Sequence, residues 1–242
     1  MSKFNEAQYR EIISKIEEGI SKVVSEYNTC ASRLEHDLGW IPLVGDGIKE
    51  GLEKIGKLLE EVVQQANRLL APHLIPIDMW NWSSTWERVA NAAAKVASGD
   101  ETRKGLTSLQ GDENEWGGIA GGKYKATVGR QENAVELIQA RADSISNACG
   151  AVTQCGVLFY IAGLAATASL VGAVIAFASA ASPAAPAAIP SFIIAIGAFL
   201  VSTAGAIASL EYGVDNQART FKMATQVTDS IPRGKWPTSA NS

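Results

Sequence analysis

Between Asp143 and Glu211 the chain runs for 67 consecutive residues without an Asp, Glu, Lys or Arg. All 25 acidic and 21 basic residues fall in the other 175 of its 242 positions. A uniformly patterned soluble domain spreads charge along its length. This chain is instead a charged protein carrying a neutral insert. The net charge of −4 offers no basic stripe of the kind nucleic-acid binding requires, so nucleic acid is not an expected partner.

The insert reads as two helices. Residues 157–181 are 25 apolar or small residues, about 37 Å of helix, and residues 190–210 are 21 more, about 31 Å. Each reaches the ~30 Å hydrocarbon core of a bilayer. The intervening SPAAPAAIP, 182–190, breaks the pattern with three prolines. A membrane-inserting helical hairpin satisfies its backbone internally, as lipid demands. Its expected membrane-inserting residues are Phe159, Leu164, Leu170, Val174, Ile175, Phe177, Phe192, Ile193, Ile196, Phe199, Leu200 and Ile207. The competing expectation is a hairpin buried in protein, because Ala, Gly, Ser and Thr dominate the segment and small residues suit close helix–helix contact.

Charged amphipathic helices flank the insert. Over 4–37, Tyr9, Ile13, Ile16, Ile20, Val23, Tyr27 and Leu34 recur at three- and four-residue steps, which predicts a helix with one apolar face. Ile48, Leu52, Ile55, Leu59, Val62 and Ala66 repeat the pattern over 47–70. Pro72 and Pro76 are expected to stop that helix and open an apolar linker, 71–82. A third helix is predicted over 83–109, capped by Ser83 or Ser84 with Glu87 placed for a capping box. A polar turn, 111–118, follows. No proline then interrupts the chain before Pro183, leaving room for one helix of about 60–65 residues.

The expected fold is all-α: an elongated bundle of very long antiparallel helices with the charge-free hairpin at one end. Its parts are N-terminal amphipathic helices (1–80), a helix-turn-helix stem (81–156), the hydrophobic hairpin (157–210), and a C-terminal helix with a flexible tail (211–242).

The turn before the long helix contains Trp116-Gly117-Gly118, followed by Ala120, Tyr124, Gln131 and Ala134. Glycine permits a tight reversal, and a tryptophan can wedge between antiparallel helices. With this context, 83–150 resembles the Trp-x-Gly helical-hairpin proteins exported by the bacterial type VII (ESX) pathway. The resemblance implies a structural turn at Trp116, Gly117 and Gly118, a helical partner or homo-oligomer, and secretion without a cleaved signal peptide or residence at a membrane. The sequence MSKFNEAQYR shows no apolar leader. The pathway's C-terminal signal, Tyr, three residues, then Asp or Glu, is one residue too short at Tyr212-Gly213-Val214-Asp215. In architecture, long charged helices bearing a neutral hairpin also resemble α-helical pore-forming toxins.

Signs of catalysis are poor. His36 and His73 stand in unrelated contexts, and no His-Glu-x-x-His, Cys-x-x-Cys or Gly-x-Ser-x-Gly occurs. Gly45-Asp46-Gly47 with Gly51 lacks the Gly-Lys-Ser/Thr ending of a phosphate loop. Asp112, Glu113 and Glu115 read as a solvated turn, and Cys30, Cys149 and Cys155 as small buried hydrophobes; the alternative is one pairing with Cys30 across two packed helices. Trp80, Trp82 and Trp86 suit interhelical burial better than a membrane-interface patch. No enzyme, catalytic residue, cofactor or metal is expected. The function expected is that of a type VII kind of secreted helical protein that inserts into or packs on membrane lipid, as a pore-forming or toxin-delivery component. The alternative is a soluble assembly module whose hairpin is buried by oligomerisation or a partner.

Overall fold

The computed structural model describes residues 4–38, 44–97, 119–179 and 185–224, with side chains placed at 4–37, 46–97, 133–179 and 187–223. These residues are all-α. The helices are α1 (Glu6–Leu38), α2 (Val44–Leu70), α3 (Ile75–Ala97), α4 (Ile119–Ser179) and α5 (Ala185–Ala224). The uninterrupted stretch before Pro183 forms a single helix of 61 residues.

Helix ends follow local chemistry. Asn5 caps α1: its Oδ1 accepts the backbone N–H of Gln8 at 3.2 Å, one of the donors a helix start leaves unsatisfied. At the same end of the α1–α2 pair, where α2 finishes, His73 N–H reaches the Leu70 carbonyl at 3.0 Å and His73 Nδ1 the same oxygen at 2.7 Å.

Two expected boundaries move. α3 starts at Ile75, so 75–82 is helix and not linker, and Ser83 lies inside α3 where it caps nothing. Pro76 sits in the first turn, where its missing N–H would have had no intrahelical partner and its fixed φ suits a helix. Likewise α5 begins at Ala185 and contains Pro190. Pro186 occupies its first turn, and Pro190 removes only the bond to the Pro186 carbonyl, so the helix survives.

The chain forms two compact units. The first comprises 1–77 and 153–214, joining α1 and α2 to the hairpin. The apolar stripe of α1 (Tyr9, Ile16, Val23, Leu34) and that of α2 (Ile48, Ile55, Val62, Leu69) share one core with Phe159, Tyr160, Leu170, Val174, Phe177, Phe192, Ile196 and Phe199. The rings of Phe177 and Phe192 stack at 5.0 Å across the hairpin. Tyr160 packs edge-on against Tyr9 at 5.4 Å. Gly156 admits the Pro76 ring, which a Cβ there would strike. Charge stays on the outer faces of α1 and α2, where Lys15 pairs with Glu11 at 2.7 Å and Lys57 with Glu53 at 2.8 Å.

The second unit comprises 78–152 and 215–242. Within it α3 and α4 pack through small residues, with Ala90, Ala93, Ala134, Ala142 and Ala148 buried. Ser83 Oγ donates to the Ser146 carbonyl at 2.9 Å and Ser146 Oγ to the Ser83 carbonyl at 3.0 Å.

Candidate functional site

The hairpin has two different faces. Its inner face lies on α1 and α2 and carries the bulk. Of the twelve residues singled out from the sequence, Phe159, Leu170, Val174, Phe177, Phe192, Ile196 and Phe199 are buried there. Leu164, Ile193, Leu200 and Ile207 are half-buried at its margins. Only Ile175, 43% exposed, points outward.

The outer face is open. Leu158, Ile161, Ala165, Ala168, Gly172, Ile175 and Ser179 follow one another on α4 at three- and four-residue steps, and all are exposed. Ile194, Ala198, Val201, Gly205 and Ala208 do the same on α5. Leu158 is 67% exposed, Ile161 47%, Ile194 72% and Val201 74%. None of these four is among the twelve residues expected from the sequence, although they match several of them in size. Helical phase separates Ile161, Ile194 and Val201, roughly opposite the phenylalanines of their helices, but with both faces apolar it does not say which side is covered. Both helices are long and apolar enough to cross a membrane, and only 28% and 17% of their apolar windows are buried. Two exposed hydroxyls of α4 are bonded within the helix. Ser169 and Ser179 hydroxyls donate to their own helix, at the carbonyls of Ala165 (3.0 Å) and Ile175 (2.8 Å).

Polar side chains hold the inner face to the rest of the first unit. Tyr160 donates to the Leu69 carbonyl at 3.0 Å and Thr153, lower on α4, to the Pro76 carbonyl at 3.2 Å; beside them Tyr9 ties α1 to the His73 carbonyl at 2.7 Å. Burial, reinforced by Tyr160 beside it, pushes the Tyr9 hydroxyl far above its ordinary ionisation range. Burial also raises Tyr27, whose hydroxyl donates to the Leu52 carbonyl at 2.6 Å.

The remaining candidates do not form a site. Cys30, Cys149 and Cys155 make no disulfide, and burial pushes the Cys30 thiol up, away from reactivity. His36 contacts Asp37 at 2.9 Å on the surface. Among the described residues no group of His, Cys, Asp or Glu could hold a metal ion. Trp82 is 56% exposed, contrary to the expected burial, and Trp80 and Trp86 are half-buried. Having helix in place of a linker across 75–82 fixes the three indoles at helical spacing, so they cannot all face inward. The Trp116-Gly117-Gly118 turn and the acidic Asp112, Glu113 and Glu115 lie outside the described residues. Comparison with protein-family models, with curated proteins and with solved structures gives no match.

Proposed function

We propose that this chain acts at membranes through its charge-free hairpin, as an exported helical protein of the type VII kind. The observation that carries the reading is the outer face of the hairpin. Large apolar side chains stand 43% to 74% exposed along it, inside a 67-residue stretch without one charge. Contiguous exposed apolar surface on this scale marks an interaction site, because water penalises it by about 25 cal/mol per Å². Liposome flotation with dye release tests the proposal. Co-flotation with vesicles supports it; a chain that stays in the aqueous fraction and leaves vesicles intact under all conditions overturns it.

A second reading rests on the inner face. Its phenylalanines are already buried by α1 and α2 of the same chain, which suits a water-soluble assembly module whose outer face is covered by another protein. Size-exclusion chromatography with light scattering separates the two. A detergent-free oligomer with residues 157–210 protected from hydrogen exchange favours assembly.

A further inference from the structure

We infer that the first unit binds lipid while still closed, lying on the surface of a neutral bilayer by the outer face of the hairpin, with α1 and α2 left in place. The inference rests on the membrane reading above and specifies which surface meets lipid and how.

Three observations lead to it. First, the closed unit cannot span a bilayer. The inner face of the hairpin carries α1 and α2, whose outward sides bear exposed Lys15, Glu18, Lys22, Glu53, Lys57 and Glu61. Spanning would carry these into hydrocarbon, where each charge is strongly disfavoured. Second, opening the unit would strip the core shared by both helix pairs, with Tyr160, Phe192, Leu170, Ile196 and Val174 all below 2% exposure. Docking by the outer face asks for neither change. It removes Leu158, Ile161, Ile175, Ile194 and Val201 from water and leaves the core intact.

Third, the face suits a fluid apolar layer better than a second protein surface. Protein interfaces combine an apolar centre with a polar rim and directional hydrogen bonds. Here no residue from 144 to 210 carries charge; the exposed Ser169 and Ser179 hydroxyls of α4 bond within their own helix, and α5 adds the small exposed side chains of Ser191, Ser202 and Ser209. Interfacial helices commonly add Lys and Arg that recruit anionic lipid. This face has none, so its binding is independent of headgroup charge and of salt.

The fold supplies its own lock for the test. A Cβ placed on Gly19 of α1 stands 3.8 Å from the Cβ of Thr167 on α4, which matches the usual ~3.8 Å separation in a disulfide. Gly19→Cys with Thr167→Cys, made in a chain carrying Cys30→Ala, Cys149→Ala and Cys155→Ala, fastens α1 to the hairpin when oxidised and frees it when reduced. Flotation is measured with phosphatidylcholine vesicles, with and without phosphatidylserine, at low and high salt. Circular dichroism on the same samples confirms folding. The expected result is equal flotation of oxidised and reduced forms, unchanged by phosphatidylserine or salt. Ile194→Asp and Val201→Asp, both at well-exposed positions, lower the bound fraction about tenfold. If the oxidised form stays in solution while the reduced form floats, lipid binding needs the unit to open. The inference then fails and the membrane reading stands. If neither form floats and light scattering shows an oligomer broken by Val201→Asp, the face binds a second copy, and both fail.

Discussion

The Tyr160 hydroxyl, carried by the hairpin, donates to the backbone carbonyl of Leu69 in the last turn of α2 at 3.0 Å, across 91 residues of sequence. Tyr160 is fully buried, so no water stands ready to replace it at that carbonyl. Tyr160→Phe keeps the ring and its edge contact with Tyr9 but orphans the acceptor. A loss of about 1–2 kcal/mol is expected in urea unfolding, with an unchanged denaturant slope.

The two faces of α4 should respond in opposite ways to truncation. Phe177 is 3% exposed and stacked on Phe192, so Phe177→Ala should lower stability by about 3–5 kcal/mol. Ile175, two residues earlier and 43% exposed, should change stability by less than about 0.5 kcal/mol when replaced by Ala. Vesicle binding should rank them differently: Ile175→Ala weakens it, whereas Phe177→Ala acts only as far as it unfolds the unit. Paired thermal melts and flotation assays read both.

Glycines on α1 and α4 give a second contrast. A side chain on Gly19 collides with Thr167, its Cβ standing 2.5 Å from Cγ2. Gly19→Leu should therefore cost about 1–3 kcal/mol by overpacking. A Cβ on Gly172 meets nothing within 4 Å. Gly172→Ala should raise stability by up to about 1 kcal/mol through helix propensity. Calorimetric melting of the two variants against the parent checks the signs.

Alkaline pH should loosen the first unit. Tyr9 and Tyr27 are both raised from 10.0, chiefly by burial. A raised folded pKa means the native state holds its proton longer than the unfolded chain does. The stability this represents is whole below pH 10 and is lost as pH rises beyond it. Melting temperature should hold steady from neutrality to about pH 9.5 and fall above about pH 10. Tyr27→Phe should shrink the fall. A profile flat to pH 11.5 would show that these phenols ionise alike in both states.

The fold was legible where helices have two kinds of face. In α1 and α2 a charged side alternates with an apolar one, and residues such as Ile16, Val23, Ile55 and Val62 fall where their spacing puts them. Position-dependent proline chemistry was less legible. The pattern marks Pro76 and Pro190 as breaks, yet proline near a helix start removes few or no bonds. In the hairpin both faces are apolar, so periodicity had no polar side from which to take its phase. Phe159, Phe177 and Phe199, which pack against protein, and Leu158, Ile194 and Val201, which face outward, are therefore alike in any local pattern. Deciding between the faces required knowing where α1 and α2 pack, a long-range fact absent from any local window.

The first unit draws on residues 1–77 and 153–214, and this split sets a timetable. At ~5–20 residues per second of synthesis, the 91-residue step from Leu69 to Tyr160 takes roughly 5–20 s to emerge. For that interval α1 and α2 exist as a finished pair with the apolar stripe meant for the hairpin uncovered. The nascent α1–α2 segment is therefore a natural client for a holding chaperone, and the protein's yield should depend on translation speed more steeply than the stability of the finished protein would suggest.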